Sequence, residues 1–266
     1  MEKNTILNLD KIYDAYMGKW GDEAKLKTNE RINWIAENVV GCRVLDVGCS
    51  QGITSLLLAR ENKTVVGIDV VQESIDFANS ILENEGENTK QNLNFECASI
   101  LSFNSGERFD TIILGEILEH ILYTEDIINK TMALLKKDGR VIVSIPFGIS
   151  IYYDHKKTFY IGEILDAFRR NFSLVDIKYF GDWAGFCFDF CEQADPVDWI
   201  KVIKDLEKEI IKHESKLLGM VHEDRVAALE KENASLQLKL NGIKESRSYH
   251  FAMLISRTLH KNKHAE

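Results

Sequence analysis

The amino-acid sequence predicts an α/β protein that is built on a mostly parallel sheet and extended by a long C-terminal helix. Residues 41–59 have the pattern of a strand, a glycine turn and a helix, and short apolar runs alternate with helical patterns up to residue 146. From residue 195 onward, apolar residues recur at heptad-like spacing. These observations divide the chain into an N-terminal helical lid (1–40), a sheet domain (41–194), a coiled-coil helix (195–243) and a basic amphipathic tail (244–266).

The composition is that of a globular protein with a substantial core. Of the 266 residues, 45% are hydrophobic and 28% are charged. There is no apolar run near the roughly 18 residues that a membrane span needs, and no signal-peptide pattern, so a cytoplasmic location is expected. The net charge of −9 disfavours nucleic acid as a partner of the whole domain. The five cysteines form no CxxC pair, so neither a disulfide framework nor a zinc site is expected.

The first 40 residues have the pattern of two helices. Ile12 and Tyr16 fall at helical spacing, as do Ile32 and Ile35, and two glycines separate the segments. This region has two interpretations, because its aromatic and apolar side chains suit either simple packing or a lid over a bound ligand.

The segment after residue 41 predicts the first strand and a turn that faces a ligand. Residues 44–47 are β-prone, and Gly48 and Gly52 bracket a turn before an apolar helix. Glycine allows the backbone to turn sharply and lets a ligand approach closely, and the N-terminus of the following helix presents unpaired N–H groups. Asp46 lies at the carboxyl end of the strand, which is where ligands bind in open α/β sheets.

Six further strands complete a sheet of seven. The sequence predicts helices over residues 72–84, 117–135 and 161–170, and a polar loop over 86–92. Gly181 and Asp182 suit a hairpin turn, so the last two strands are expected to be antiparallel. The six predicted strands are 64–70, 93–97, 109–114, 140–145, 172–180 and 183–190.

Side chains at the ends of the second and third strands suit a nucleoside. Asp69 ends the second strand, where a carboxylate accepts hydrogen bonds from both hydroxyls of a ribose. Val70 follows it and offers an apolar shelf for a purine. Ser99 and Ile100 follow the third strand, where a hydroxyl and backbone amides are placed to contact an adenine edge.

The fourth strand ends in Gly115 and Glu116, next to the glycine turn, where a carboxylate suits an ammonium group. A dinucleotide would favour the spacing GxGxxG, whereas Gly48 and Gly52 give GxxxG with Ser50 between them. The pattern therefore favours a nucleoside joined to an amino acid.

With these residues the chain resembles the class I S-adenosylmethionine (SAM) methyltransferases. VLDVGCSQG is similar to their first motif, GIDVVQESIDFA to the second, and FDTIILGEILEHI with LLKKDGRVIVSIP to the later ones, across residues 30–192. The resemblance implies a Rossmann-like sheet with an antiparallel last strand, SAM as cofactor and methyl transfer as the reaction. The chain departs from the family pattern at Ser50 and Ser99. The implied cofactor-binding residues are Asp46, Gly48, Cys49, Gly52, Asp69, Val70, Ser99, Ile100, Gly115 and Glu116.

Three residues are the candidates for catalysis: Glu119, His120 and His155. An imidazole titrates near neutral pH, so His155 suits a general base on an acceptor hydroxyl; its alternative is an ordinary surface histidine. Together with Glu116, the three resemble the ExxEH…H arrangement that holds a divalent cation in small-RNA 2′-O-methyltransferases. The favoured interpretation has no metal. In it, Glu116 binds the cofactor, while Glu119 and His120 cap and orient a helix.

The C-terminal helix is predicted to start at Asp195-Pro196 and to form a coiled coil. A first apolar stripe includes Ile203 and Ile210. A second stripe with strict a/d alternation contains Val226, Leu229, Asn233, Leu236, Leu240 and Ile243. An asparagine at an a position typically fixes register and oligomer state, so a homo-oligomer or a different protein partner is expected. The alternative is a long helix folded back on its own domain.

The basic tail, residues 244–266, has the pattern of an amphipathic helix, which suits an anionic membrane surface, here the inner face, or a partner protein. It resembles segments after coiled coils in bacterial surface-polysaccharide enzymes. The sequence therefore predicts a SAM-dependent methyltransferase that acts on a sugar hydroxyl in surface-glycan assembly. The alternatives are a metal-dependent RNA 2′-O-methyltransferase, another small-molecule O-methyltransferase, and a non-catalytic methyltransferase-like scaffold.

Overall fold

The computed structural model describes residues 12–148, 155–181, 183–192 and 199–245. It divides the chain into two compact units, Met1–Glu207 and Lys208–Glu266. The first contains the sheet and nearly all of the helices. The predicted helix start at Asp195-Pro196 and most of the basic tail fall outside the described residues, so their predictions stand as made.

The first unit is built on a seven-stranded sheet with the order β3-β2-β1-β4-β5-β7-β6. The first five strands are parallel, and β7 lies antiparallel between β5 and β6. This confirms the predicted mostly parallel sheet and its antiparallel last strand. The strands are β1 (Arg43–Val47), β2 (Thr64–Asp69), β3 (Leu93–Cys97), β4 (Phe109–Gly115), β5 (Leu135–Pro146), β6 (Phe172–Phe180) and β7 (Trp183–Phe190).

Helices cover both faces of the sheet, which explains the nearly continuous apolar runs of its central strands. Successive side chains of a strand point to opposite faces, so Ile112 and Leu114 of β4 join one buried cluster while Ile113 joins the other. The helices are α1 (Ile12–Tyr16), α2 (Asp22–Asn38), α3 (Ile53–Arg60), α4 (Gln72–Leu82), α5 (Glu87–Asn92), α6 (Thr124–Leu134), α7 (Ile161–Phe168) and α8 (Trp199–Glu245).

The predicted helix over residues 117–135 is wrong in its first third. The chain forms a short 3₁₀ turn, Leu118–His120, and α6 begins only at Thr124. The carbonyl oxygen of Glu119 accepts hydrogen bonds from the backbone N–H groups of Lys156 (2.8 Å) and Lys157 (3.2 Å). Because the Glu119 carbonyl accepts hydrogen bonds from a distant loop, it does not accept one along an α-helix. The prediction that Glu119 and His120 cap a helix is also wrong.

Two further boundaries differ from the predictions. The polar segment over residues 86–92 contains the short helix α5 rather than a loop, because Thr89 is buried and Asn88 donates to the Asn62 side chain at 2.8 Å. Strand β5 starts at Leu135, which pairs with Phe109, rather than at Arg140. Tertiary contacts outweigh local propensity in both places.

The C-terminal helix α8 belongs to both units. Its part in the first unit is tied to α7, because Glu207 accepts a hydrogen bond from the Gly162 backbone N–H at 2.8 Å and Lys204 forms an ion pair with Asp166. Its part in the second unit is a single helix up to Glu245. None of the helices in the described ranges combines the length and the apolar content that a membrane crossing needs.

Candidate functional site

The glycine turn after β1 is held by backbone hydrogen bonds to the end of β2. The N–H of Gly48 donates to the Ile68 carbonyl at 2.7 Å, and the N–H of Ser50 donates to the Asp69 carboxylate at 2.9 Å. Three residues of the turn have left-handed backbone angles, with φ of 68° at Gly48, 47° at Ser50 and 77° at Gly52. The turn is therefore fixed by the chain itself before any ligand binds.

Glycine is required at both ends of this turn for a second, steric reason. A Cβ atom on Gly48 would lie 2.9 Å from the Ile117 side chain, and one on Gly52 would lie 2.5 Å from the Phe95 ring. Both separations are shorter than van der Waals contact allows, and each adds to the backbone cost of a side chain at positive φ.

Asp46 is buried at the carboxyl end of β1, with only 4% of its surface exposed. Its carboxylate accepts a hydrogen bond of 2.6 Å from the Ser55 hydroxyl, at the start of α3. Burial raises the pKa of Asp46 to about 6, and the Ser55 hydrogen bond opposes this rise. The neighbouring Cys49 is also buried, which raises the pKa of its thiol and keeps it protonated at neutral pH.

Asp69 is fixed in orientation at the end of β2. One carboxylate oxygen accepts the Ser50 N–H at 2.9 Å, and the other accepts the Val71 N–H at 2.9 Å. Each oxygen keeps a further lone pair for a ligand hydroxyl. Val70 is 70% exposed beside it, as an apolar shelf requires, whereas the side chain of Ile100 is buried in the core, which leaves only its backbone available to a ligand.

Glu116 occupies a strained position at the end of β4, with φ of 55°. One oxygen of its carboxylate forms an ion pair with Arg31 at 2.7 Å and accepts the Ser144 hydroxyl at 3.2 Å. The other oxygen accepts the indole N–H of Trp183 at 2.5 Å. The Arg31 guanidinium also lies over the Trp183 ring, 5.6 Å from its centroid.

A cleft that opens to solvent lies between α2, the glycine turn and the ends of the central strands. Five of the ten predicted cofactor-binding residues line it: Asp46, Gly48, Cys49, Gly115 and Glu116. The predicted lid also contributes, through Ile12 of α1 and Arg31, Ile32 and Ile35 of α2. The other five predicted residues (Gly52, Asp69, Val70, Ser99 and Ile100) belong to the turn itself and to the ends of β2 and β3.

Arg31 is the functional residue that the motif-based reasoning missed. It lies on α2, outside every glycine or acidic motif, yet only 9% of its surface is exposed. The sequence does carry a signal for it. Arg31 is four residues before Ile35, so it lies on the apolar face of an amphipathic helix, where a cation requires a buried partner.

The three candidate catalytic residues come together at the 3₁₀ turn, where Glu119 and His120 belong to the turn and His155 comes from the later loop. One ligand atom from each of Glu119, His120 and His155 lies within 4.8 Å of the others. The two imidazole rings are 5.0 Å apart and nearly perpendicular. The hydrogen bonds from Lys156 and Lys157 to the Glu119 carbonyl bring His155 there.

Glu116 does not join this group, because its carboxylate oxygens are directed at Arg31, Ser144 and Trp183. The four-residue cation arrangement considered from the sequence is therefore reduced to three within the described ranges. One carboxylate and two imidazoles are a chemically reasonable donor set for a divalent transition metal.

Comparisons with known proteins agree with this fold. Residues 38–173, half of the chain, match the family described as a methyltransferase domain. A ubiquinone biosynthesis O-methyltransferase of Coxiella burnetii is 32% identical over 144 residues, which cover 51% of this chain and 60% of that protein. One from Actinobacillus pleuropneumoniae is 36% identical over 115 residues, 41% of this chain and 47% of its own length. The chain thus spans about half the length of these relatives.

Solved structures show the same fold at lower identity. Magnesium protoporphyrin IX methyltransferase from Synechocystis with bound SAM superposes with a TM-score of 0.54 and 18% identity, over 69% of this chain and 93% of that one. The [4+2]-cyclase SpnF gives a TM-score of 0.56 and 16% identity, over 68% and 94%. These structures confirm the predicted class I methyltransferase fold, and the bound SAM is a feature of the Synechocystis protein. On the family match over residues 38–173, this chain belongs to the methyltransferase-domain family.

Proposed function

We propose that this chain is an SAM-dependent O-methyltransferase that acts on the hydroxyl of a small molecule. One observation carries the proposal, which is the buried ion pair of Arg31 and Glu116 beside the glycine turn. Burying a cation and an anion at the wall of a cleft costs desolvation free energy that their mutual attraction often does not offset. Binding of a ligand that itself carries both charges would account for keeping the pair there.

The amino-acid part of SAM is such a ligand. Its ammonium group suits the Glu116 carboxylate and its carboxylate suits the Arg31 guanidinium, so binding exchanges one ion pair for two charge-assisted contacts. The side chains of Arg31 and Glu116 are only 10% and 19% exposed, and interactions at such sites are weakly screened by solvent. The cleft is open to solvent, so a ligand can reach both side chains.

The nucleoside part of SAM fits the adjoining strand ends. Asp69 is held by two backbone N–H groups with lone pairs left for the ribose hydroxyls. The exposed Val70 beside it suits the face of a purine. Ser99 lies at the turn after β3, where its carbonyl accepts the N–H groups of Ser102 (3.0 Å) and Phe103 (2.9 Å), which fixes the backbone next to the adenine edge.

For this reaction the protein must align the methyl donor with the acceptor and remove one proton from the acceptor. When bound, SAM supplies a methyl group that is activated by attachment to a sulfonium. The wall of the turn and the Arg31–Glu116 pair hold the donor in one orientation, which lowers the barrier through proximity. His155 or His120 takes the proton of the acceptor hydroxyl, as a general base within the same small cluster.

A hydroxyl acceptor is supported by the names of the relatives, which are O-methyltransferases of ubiquinone biosynthesis. The narrower acceptor that we propose is a sugar hydroxyl in glycan assembly. It rests on two resemblances: the segment around His155 is similar to one in many small-molecule and sugar methyltransferases, and the basic tail is similar to segments after coiled coils in bacterial surface-polysaccharide enzymes.

The proposal is tested with methyl-labelled SAM and three acceptor sets: cell-envelope glycan intermediates, small catechols, and total RNA. We expect label in the glycan set and in neither of the others. Label in the catechols alone would retain the O-methyltransferase and reject the sugar acceptor. No label in any set, together with no SAM binding, would leave the non-catalytic scaffold as the interpretation.

A second candidate function, methyl transfer assisted by a divalent cation, is favoured by the cluster of Glu119, His120 and His155. A cation held there would lower the pKa of an acceptor hydroxyl that binds to it, and no separate base would be needed. Chelation separates the two candidates, because only the cation mechanism needs a metal ion, and Glu119 would be one of its ligands.

Turnover is measured before and after chelation, with Mg²⁺, Mn²⁺ and Zn²⁺ added back, in wild type and Glu119→Gln. The base mechanism predicts turnover that survives chelation in both proteins. Turnover that disappears on chelation, returns with one cation and is absent in Glu119→Gln would establish the cation mechanism instead.

A further inference from the structure

The second unit of the chain contains a long helix whose apolar side chains are exposed. Four of them illustrate this exposure: Val226 (41%), Leu229 (57%), Leu236 (55%) and Ile210 (45%). A solvated helix of this length normally keeps one polar face and buries the other against a neighbour. From the geometry we infer that a second copy of the chain pairs with this helix in a parallel, two-stranded coiled coil.

The pairing surface is the stripe that starts at Val226. Val226 and Asn233 are at a positions and Leu229 and Leu236 at d positions, and the sequence continues the alternation at Leu240 and Ile243. A valine at a with leucine at d favours two strands over three or four. The opposite face of the helix carries Lys231 at an f position, which points away from the pairing surface.

Asn233 decides the orientation. In a parallel pair it lies opposite Asn233 of the second copy, and the two amides hydrogen-bond across the seam. In an antiparallel pair that keeps the same apolar layers, Asn233 lies opposite Leu236, and its amide is buried without a partner. An unsatisfied buried amide is the costlier arrangement, so the parallel pair is favoured.

The charges beside the stripe carry less weight than Asn233, because exposed ion pairs contribute little to stability. In the parallel pair, Arg225 at g lies opposite Glu230 at e of the second copy, which is attractive. In the same pair, Lys239 at g lies opposite Lys244 at e, which is repulsive. In the antiparallel pair, Glu232 lies opposite Lys239, which is attractive. The stripe is complementary to itself, since Asn233 pairs with Asn233 and Arg225 with Glu230, and this is the reason for taking a second copy as the occupant.

The test uses two leucines, two residues apart, that differ in position. Leu236 is at d, whereas Leu238 is at f and is 73% exposed. We expect the full-length protein to have twice the monomer mass of 30.5 kDa by light scattering. Leu236→Glu should weaken dimerisation by about 100-fold or more, and Leu238→Glu should leave it unchanged.

Near-ultraviolet circular dichroism of both variants keeps the comparison valid, because unfolding of the first unit would remove the signal of its buried Trp34, whereas separation of the helices would not. A monomeric wild type would overturn the inference, and so would a dimer that survives Leu236→Glu or that Leu238→Glu also abolishes.

Orientation is tested by oxidative cross-linking of Leu229→Cys, which keeps Asn233, with Lys231→Cys as the matched control. A parallel, in-register pair brings the two sulfur atoms introduced by Leu229→Cys within disulfide reach, whereas an antiparallel pair places Leu229 opposite Leu240; both arrangements hold the two sulfur atoms introduced by Lys231→Cys apart. Efficient cross-linking of the first variant alone is the expected result. Equal cross-linking of both, or of neither, would overturn the parallel arrangement.

Discussion

The two walls of the candidate site are built in different ways. The cofactor wall, made of Asp46, the turn Gly48–Gly52 and Asp69, is fixed by backbone hydrogen bonds and by positions that tolerate no Cβ. The acceptor wall, made of Glu119, His120 and His155, is assembled from two loops by hydrogen bonds to one carbonyl. The comparison teaches that donor binding and acceptor chemistry should be separable by mutation.

The largest effect is expected on the acceptor wall. One of the two histidines is the candidate base. Of the variants His155→Ala and His120→Ala, the one that removes the base should have a kcat about 100-fold to 10,000-fold lower than wild type. S-adenosylhomocysteine (SAH) should bind both variants as it binds wild type, because neither histidine belongs to the cofactor wall. Parallel calorimetry and turnover assays measure the two quantities. A joint loss of binding and turnover would show that the walls are not separable.

The next effect is on the stability of the cofactor wall. Gly52→Ala places a Cβ 2.5 Å from the Phe95 ring at a φ of 77°, and should lower the free energy of unfolding by about 3 kcal/mol. Gly106→Ala is the matched control, because a Cβ there meets no atom within 4 Å. Denaturant unfolding compares them. Equal stability of the two variants would contradict the steric account of the turn.

Asp46 gives the cofactor wall a pH dependence. Its pKa is raised from an ordinary 3.8 to about 6 by burial, so the folded protein holds this proton at a pH where the unfolded chain has released it. The resulting stability is present below pH 4 and is lost as the pH rises to about 6, by about 3 kcal/mol in full. Asp46→Asn should lack this loss. Its free energy of unfolding, measured with urea, should therefore rise relative to that of wild type between pH 4 and pH 7. Parallel profiles for the two proteins would refute it.

The smallest effect is expected at Ser50, one of the two positions where the chain departs from the methyltransferase motif pattern. Ser50 has a φ of 47°, so glycine would relieve backbone strain while adding freedom to the unfolded chain. Ser50→Gly should therefore leave the unfolding free energy within about 1 kcal/mol of wild type, with SAH affinity little changed. A destabilisation as large as that of Gly52→Ala would mean that the Ser50 side chain, not its backbone, holds the turn.

The cofactor wall was predictable from the sequence because its parts have local signatures. Glycines at fixed spacing indicate a tight turn, and an acidic residue at a strand end, here Asp69, indicates a ligand-binding position. The interrupted helix after Glu116 was not predictable, because the carbonyl of Glu119 bonds to Lys156 and Lys157, far away in sequence. The contact of Arg31 with Glu116 has the same long-range character.

The most direct test of the central claim is a calorimetric comparison of SAH with methylthioadenosine, which has the same nucleoside but no amino-acid group. If Arg31 and Glu116 receive that group, wild type should bind one SAH per chain about 100-fold more tightly than methylthioadenosine. Glu116→Gln should lose most of this preference while it still binds methylthioadenosine. Absence of SAH binding, or a preference that Glu116→Gln leaves intact, would contradict the account.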